Sequence, residues 1–280
     1  MSFWGKIRKK GFRGILKSLS LRISRIWRGG NEWEGDYGSW AEAAAKSTGY
    51  DTENILKRVY QATQAVESGS AAYERDSVTF DHIEYSWPLL AGLMWGAAMH
   101  KGALRVVDFG GALGSTFRQN RVFFDNLKEL RWMVVEQPHF VACGREHFES
   151  GDLSFFNSIE ECLLAGPADG LILSSVLQYL EQPYDFVHSL GKYEFDYVIL
   201  DRTPFSTDDE DRIKVQHVPE SIYKASYPCH FLSRKDFLGA VTENYRVVEW
   251  FVPELEKTLS YQGCILKRIR EKSHKSEEAK

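Results

Sequence analysis

One short stretch in the middle of the chain constrains its fold more than any other feature. The apolar run from Leu104 to Val107 leads into Asp108 and a glycine-rich turn, Gly110-Gly111-Ala112-Leu113-Gly114, followed by residues that can begin a helix. Glycine suits turns in which φ is positive or in which the backbone must approach a ligand closely. A helix start offers unpaired N–H groups to a polar ligand. This order is typical of a nucleotide-cofactor site in an open α/β sheet, although a glycine turn can also join any strand to any helix.

Further apolar runs follow at helix-length intervals. The second run ends in Glu136, and an acid in that position can accept hydrogen bonds from the two ribose hydroxyls of a nucleoside. Strands that alternate with helix-length gaps predict a parallel, doubly wound sheet. The four runs after the first are Leu130–Glu136, Leu153–Phe156, Ala168–Ser175 and Phe195–Asp201, and two closing strands are predicted at 245–252 and 261–267.

These residues resemble class I S-adenosylmethionine-dependent methyltransferases. The resemblance lies in Asp108-x-Gly110-x-x-x-Gly114, in Glu136 and in the run Leu173 to Leu180, with Ala112 where that family usually has its middle glycine. It implies an α/β fold with a Rossmann-like seven-stranded sheet, mostly parallel with the last strand antiparallel. An N-terminal helical extension is predicted separately, from the pattern of residues 3–28. The resemblance also implies S-adenosylmethionine as the cofactor. The residues expected to bind it are Asp108, Gly110, Gly111, Gly114, Glu136, Gln137, Asn157, Ser158 and Ser174.

A narrower resemblance covers most of the chain. Its motifs are Tyr73-Glu74-Arg75-Asp76-Ser77, Asp108-Phe109-Gly110-Gly111, Val134-Val135-Glu136-Gln137, Asp201-Arg202-Thr203-Pro204 and Tyr227-Pro228. They resemble a family of bacterial methyltransferases associated with surface-polysaccharide biosynthesis. This resemblance implies that the substrate is a glycan or a glycan precursor.

Methyl transfer to a hydroxyl needs an aligned acceptor and benefits from a base. His217 is our candidate base because it lies in the insertion after the fifth strand. Its alternative role is structural, as a histidine that donates a hydrogen bond to a loop carbonyl. Asp201 ends the fifth strand and is the second catalytic candidate, with pairing to Arg202 or capping as its alternative role. The candidate substrate-binding residues are Asp81, His82, Tyr85 and Tyr223.

Two other functions fit parts of the sequence. A nicotinamide-dependent sugar-nucleotide oxidoreductase would share the sheet, but the glycine spacing differs and no Tyr-x-x-x-Lys pair follows the fourth strand. A non-catalytic, membrane-tethered scaffold would keep the fold without turnover. No regular metal-ligand spacing is present: the acidic run 207–211 is typical of a solvated turn, and no two cysteines form a C-x-x-C pair.

Charge is distributed unevenly along the 280 residues. Residues 1–31 hold nine basic and no acidic side chains, which gives this segment a charge of +9. Because the net charge of the chain is −4, the remaining residues together carry −13. An acidic body argues against a nucleic-acid substrate. Residues 3–28 predict a basic amphipathic helix, which either lies on an anionic membrane surface or packs on its own domain or a partner.

The predicted domain organisation follows from these segments. The four unpaired cysteines favour a reducing cytoplasm, with the basic segment as a peripheral contact to the inner face of the membrane. The aromatic stretch that includes Trp33, Tyr37 and Trp40 is predicted to form either a lid over the substrate or packing for the sheet. The expected regions are a basic extension (1–31), a helical cap or lid (32–100), a cofactor-binding methyltransferase domain (101–270) and a disordered tail (271–280).

Overall fold

A computed structural model describes residues 32–49, 52–219, 222, 225–253 and 260–270. The predicted amphipathic segment 3–28, Tyr223 and the tail 271–280 lie outside these described residues. In chain order, the described strands are β1 (Glu32–Tyr37), β2 (Tyr73–Arg75), β3 (Val78–Phe80), β4 (Ala103–Phe109), β5 (Glu129–Val135), β6 (Leu153–Phe156), β7 (Gly170–Ser174), β8 (Tyr197–Pro204), β9 (Arg212–His217), β10 (Ser226–Phe231), β11 (Tyr245–Phe251) and β12 (Tyr261–Arg268). The described helices are α1 (Trp40–Lys46), α2 (Thr52–Glu67), α3 (Trp87–Met99), α4 (Ser115–Asn120), α5 (Pro138–His147), α6 (Ile159–Ala165), α7 (Pro183–Ser189) and α8 (Arg234–Val241).

The chain divides into two compact units. The first holds residues 32–85 of the described chain together with Ala112–Phe123 and Ile213–Cys229. The second holds Ser86–Gly111, Phe124–Arg212 and the described residues from His230 onward. The boundary between two of these segments falls within the glycine turn. Gly111 ends a segment of the second unit, and Ala112 begins a segment of the first unit.

The second unit is built on a seven-stranded sheet with the order β11-β12-β8-β7-β4-β5-β6. β4, β5, β6, β7 and β8 pair in parallel, whereas β12 pairs antiparallel with both β8 and β11. The predicted fold class is confirmed, since the sheet is parallel apart from its last strand in sequence. That strand, β12, lies between β8 and β11 rather than at the edge of the sheet.

The strands form where the sequence is continuously apolar. Val107, Leu171 and Leu200 are completely buried, as expected of parallel strands that are covered on both faces. On one face, α3 lies close to β8 because Gly96 leaves room for an aromatic ring. A Cβ added at Gly96 would lie 2.3 Å from Cζ of Tyr197.

The connection order creates a switch point beside β4. From β4 the chain proceeds through β5 to β6 on one side, and then returns to form β7 on the other side of β4. In open α/β sheets, ligands bind outside the carboxyl ends of the strands at such a point. The residues after β4, β5 and β7 are therefore the natural place for a site.

The first unit contains a three-stranded sheet, β1-β9-β10, and a two-stranded hairpin, β2-β3. α4 and α2 both lie against the hairpin. The sequence does not predict these five strands. Within the described ranges, no helix combines the length and the apolar character that crossing a bilayer requires.

Candidate functional site

The glycine turn after β4 is tightly wound and closely packed. Its backbone has a positive φ at Gly110 (74°), Ala112 (50°) and Gly114 (89°). A Cβ at Gly110 would lie 2.5 Å from Cγ2 of Val176, and the Gly110 N–H donates to the Val135 carbonyl at 2.8 Å. The turn is thus held against the ends of β5 and β7.

Asp108 lies directly beneath this turn. A Cβ at Gly111 would lie 2.6 Å from its carboxyl group, so only glycine leaves the carboxyl room. Asp108 is 1% exposed, and its Oδ2 accepts a hydrogen bond from the Trp132 indole Nε1 at 3.0 Å. Burial raises the pKa of Asp108 to about 7, helped by the charge of Glu136 and opposed by the Trp132 bond and by Arg202.

Glu136 stands at the carboxyl end of β5, next to the turn. β4 and β5 pair in register as far as Phe109 and Val135, so Glu136 lies level with Gly110. Its Oε2 accepts a hydrogen bond from the Gln137 backbone N–H at 2.8 Å. The side chain is half-buried, and a carboxylate in this position can accept hydrogen bonds from vicinal hydroxyls.

Asn157 and Ser158 follow β6, and Ser158 is the N-cap of α6. The Ser158 hydroxyl accepts from the Glu161 N–H at 3.2 Å, while Glu161 Oε2 accepts from the Asn157 backbone N–H at 3.0 Å. Both residues thus lie at the carboxyl edge, but their side chains start α6. A role in binding the cofactor stays a prediction.

Ser174 and Asp201 form a polar cluster on the β7–β8 side of the turn. They are register partners, and the Ser174 hydroxyl donates to Asp201 Oδ2 at 2.9 Å. Arg202 Nε lies 3.5 Å from the same oxygen, and its Nη2 donates to Ser174 at 3.2 Å. Asp201 is 1% exposed. Its pairing with Arg202, which is the alternative to a catalytic role, is present in the structure.

Arg202 is a residue that the sequence analysis assigned no cofactor role. Its charge acts on Asp108 as well as on Asp201, which makes it the cation of this carboxyl edge. Its φ of 50° is unusual for a residue other than glycine. The sequence feature that could have indicated Arg202 is its position directly after Asp201, the acid that ends the fifth predicted strand.

His217, the predicted base, lies at the end of β9 in the first unit. Its Nε2 lies 2.8 Å from Oε2 of Glu34 on the neighbouring strand β1. A carboxylate bound to one ring nitrogen fixes the tautomer and orientation of the imidazole. Its catalytic role stays a prediction.

The other predicted substrate residues of the first unit lie after the β2–β3 hairpin. Asp81 and His82 form an exposed pair with Nδ1 and Oδ1 2.7 Å apart, which raises the pKa of His82 and lowers that of Asp81. The Tyr85 ring packs edge-on against Phe123, with centroids 5.2 Å apart.

One group in the described part of the chain has the spacing of metal ligands: His100, Asp169 and Asp196. It lies at the amino ends of β4, β7 and β8, at the opposite edge of the sheet from the glycine turn. Arg105 donates to both carboxylate oxygens of Asp169, at 2.7 and 3.1 Å, and Arg270 pairs with Asp196. Because these arginines neutralise the two acids, we interpret the group as an ion-pair network and not as a metal site.

Comparisons with known proteins give distant structural likenesses. No protein-family model matches the chain. No curated protein matches it either. The N-terminal domain of EvdMO1, solved in the presence of SAH and D-fucose, is 13% identical with a TM-score of 0.47, over 79% of this chain and 98% of that one.

Two further solved structures show the same level of likeness. CalS10, an amino pentose methyltransferase from Micromonospora echinaspora solved with SAM bound, is 10% identical with a TM-score of 0.45, over 66% of this chain and 92% of that one. The magnesium protoporphyrin IX methyltransferase ChlM from Synechocystis PCC 6803, solved with SAH, is 15% identical with a TM-score of 0.45, over 77% and 98% of the two chains. At identities and TM-scores this low, the basis for assigning an activity is the chain's own residues.

Proposed function

We propose that the protein is an S-adenosylmethionine-dependent O-methyltransferase that modifies a sugar hydroxyl of a bacterial surface glycan or its precursor. The observation that supports the cofactor is the arrangement at the switch point of the sheet. There, a tight glycine turn covers the buried Asp108, and Glu136 stands beside it at the end of the adjacent strand. The turn supplies backbone groups at close range, and Glu136 supplies an acceptor for the ribose.

The reaction places simple demands on the protein. The acceptor oxygen attacks the methyl carbon as the bond from that carbon to the sulfonium sulfur breaks, and S-adenosylhomocysteine leaves. The electron pair of the C–S bond stays on sulfur, and the hydroxyl proton passes to a base. Alignment supplies much of the rate, and a base contributes about 100- to 10,000-fold.

His217 is the base that we propose for this proton. The support is its pairing with Glu34, which orients the ring. Asp201 is the alternative. It is fully buried and already accepts from Ser174, so its contribution is to order the edge of the sheet beside the turn.

Calorimetry with S-adenosylhomocysteine tests the cofactor assignment. Glu136→Gln should weaken binding about 10- to 100-fold, because hydrogen bonds to a charged group contribute about 1.5–3 kcal/mol. The matched control is Glu129→Gln, at the amino end of the same strand and half exposed, which should bind as the wild type does. If wild-type protein binds NAD but gives no heat with S-adenosylmethionine or S-adenosylhomocysteine, the proposal is wrong.

A methyl-label experiment tests the acceptor and the base. Protein incubated with isotopically labelled S-adenosylmethionine and a cognate glycan extract should place the label on a sugar oxygen, located by mass spectrometry of the released sugars. His217→Ala should reduce turnover at least 100-fold with unchanged affinity for S-adenosylhomocysteine. His147→Ala, at a surface histidine also beside a glutamate, is the control. Label recovered in nucleic acid or protein instead of glycan would exclude a glycan acceptor.

A further inference from the structure

Gln178 is a buried amide that joins the ends of two neighbouring strands of the large sheet. It lies in the short segment after β7 and is 0% exposed. Its Nε2 donates hydrogen bonds to the Ser175 hydroxyl at 3.1 Å and to the Arg202 carbonyl at 3.4 Å. Because a carbonyl oxygen can only accept, the amide nitrogen must face Arg202. One side chain thus holds both the residue that follows β7 and a residue near the end of β8.

Both residues that Gln178 holds have an unusual backbone conformation. The angle φ is 56° at Ser175 and 50° at Arg202. A positive φ costs free energy for most residues other than glycine, so surrounding contacts must hold it in place. At Arg202, the pairing of β8 with β12 also shifts register between Gln262 and Cys264, as in a β-bulge. Strained backbone of this kind is concentrated at functional sites.

The segment that Gln178 holds supports the glycine turn. Val176 directly follows Ser175, and a Cβ added at Gly110 would lie 2.5 Å from Cγ2 of Val176. The Ser175 N–H donates to the Asp201 carbonyl at 2.9 Å, which ties the same segment to β8. A change in φ at Ser175 would therefore move Val176 relative to Gly110. Because Gly110 begins the turn, the position of the turn depends on the backbone at Ser175.

We propose that Gln178 is a positioning residue for cofactor binding. Its amide holds Ser175 and Arg202 in their positive-φ conformations and thereby sets the position of Val176 against the glycine turn. This inference rests on the cofactor assignment proposed above. It differs from a role in packing alone, because the affinity for the cofactor should depend on a backbone conformation that glycine adopts without help from Gln178.

Gln178→Met keeps most of the side-chain volume but removes both hydrogen bonds. In calorimetry it should weaken S-adenosylhomocysteine binding about 10- to 100-fold, because Ser175 and Arg202 are no longer held. Ser233→Ala is the matched control. Ser233 is also 0% exposed, and its hydroxyl caps α8 by accepting from the Asp236 N–H at 3.1 Å. Its loss should lower the melting temperature but leave the affinity within about twofold of wild type.

Ser175→Gly separates positioning from general destabilisation. Glycine adopts a positive φ without steric cost, so the segment no longer needs the amide. Added to Gln178→Met, Ser175→Gly should raise the affinity for S-adenosylhomocysteine at least about fivefold. Lys101→Gly also places glycine at a positive φ, of 58°, but just before β4 at the amino edge of the sheet. Added to Gln178→Met, it should restore no affinity.

The outcomes that overturn the inference differ from those that overturn the cofactor assignment. If wild-type protein does not bind S-adenosylhomocysteine, the cofactor assignment fails and this inference fails with it. If wild type binds and Gln178→Met binds equally well, the cofactor assignment stands and the positioning role is wrong. The same conclusion follows if Lys101→Gly restores affinity as much as Ser175→Gly does.

Gln178→Asn keeps the inference testable if Gln178→Met does not fold. It retains a polar amide but is one carbon shorter, so it cannot hold both Ser175 and Arg202. The affinity for S-adenosylhomocysteine should fall, and Ser175→Gly should again restore it. Wild-type affinity in Gln178→Asn, or a loss that Ser175→Gly does not reduce, would contradict the proposal.

Discussion

At the scale of single residues, each compact unit contains a buried acid with a raised pKa. Asp108 and Glu74 are both almost completely buried, and burial raises the pKa of each to about 7. Each is held by one side-chain donor, Trp132 for Asp108 and Ser115 for Glu74. Neither acid is stabilised by a direct ion pair that the structure shows, so each costs free energy when it ionises.

The pH dependence of stability tests this for Asp108. A folded-state pKa of about 7, raised from 3.8, means that the folded protein binds the proton more tightly than the unfolded chain. The stability linked to this proton is fully present below about pH 4 and is lost as the pH rises through about 7. Asp108→Asn keeps an acceptor for Trp132, so its stability relative to wild type should increase between pH 5 and pH 8, by at most about 3 kcal/mol.

Urea unfolding of both proteins at a series of pH values measures this difference. Glu74 is present in both the wild type and Asp108→Asn, so its contribution to the pH dependence cancels from the stability difference. A stability difference between Asp108→Asn and wild type that does not change with pH would show that Asp108 ionises normally in the folded protein.

At the scale of elements, the start of the glycine turn after β4 packs closely against the ends of β5 and β7. Gly111 has no room for a side chain because the Asp108 carboxyl lies 2.6 Å from the position of its Cβ. Gly111→Ala must displace a buried group that Trp132 holds, so it should destabilise the protein by about 1–3 kcal/mol. It should also weaken S-adenosylhomocysteine binding at least tenfold, because the turn cannot keep its position.

Gly151→Ala is the control for this prediction. No atom lies within 4 Å of a Cβ placed there, so stability and affinity should both stay at the wild-type level. Thermal unfolding and calorimetry give the two readouts. Normal binding by Gly111→Ala would mean that the close contact between turn and carboxyl is not needed for the cofactor.

The elements also show how far the sequence predicts this structure. All seven strands of the large sheet were predicted. The five parallel strands are recognisable because they are buried and largely apolar and end near acids or glycines. β1 was missed because Glu32–Tyr37 is mostly polar and pairs with β9, about 180 residues away in sequence. β2 and β3 have three residues each, too few to show a period. The contacts of Glu74 with Ser115 and of Arg202 with Ser174 also join residues that are distant in sequence. The predictions for Asp108 and Glu136 come from local sequence pattern.

At the scale of the second unit as a whole, the two edges of the large sheet carry different groups of polar residues. The carboxyl edge carries the glycine turn, Asp108 and Glu136. The amino edge carries the network in which Arg105 binds Asp169 and in which His100 lies 3.5 Å from Asp169 and 3.3 Å from Asp196. This network ties the start of β4 to the residues before β7 and β8 and to the end of α3. We therefore expect the amino edge to determine stability without affecting the cofactor.

Asp169→Asn tests this separation. It removes the charge from a well-shielded carboxylate that binds both Arg105 Nε and Nη2, so we expect a loss of about 1–3 kcal/mol of stability. The affinity for S-adenosylhomocysteine should stay within about twofold of wild type. Glu129→Gln breaks only the half-exposed contact to Arg105 at 3.7 Å and should cost less than about 1 kcal/mol. If Asp169→Asn weakens cofactor binding tenfold while the protein remains folded, the two edges are coupled through the strands. The amino-edge network would then have to be counted as part of the site.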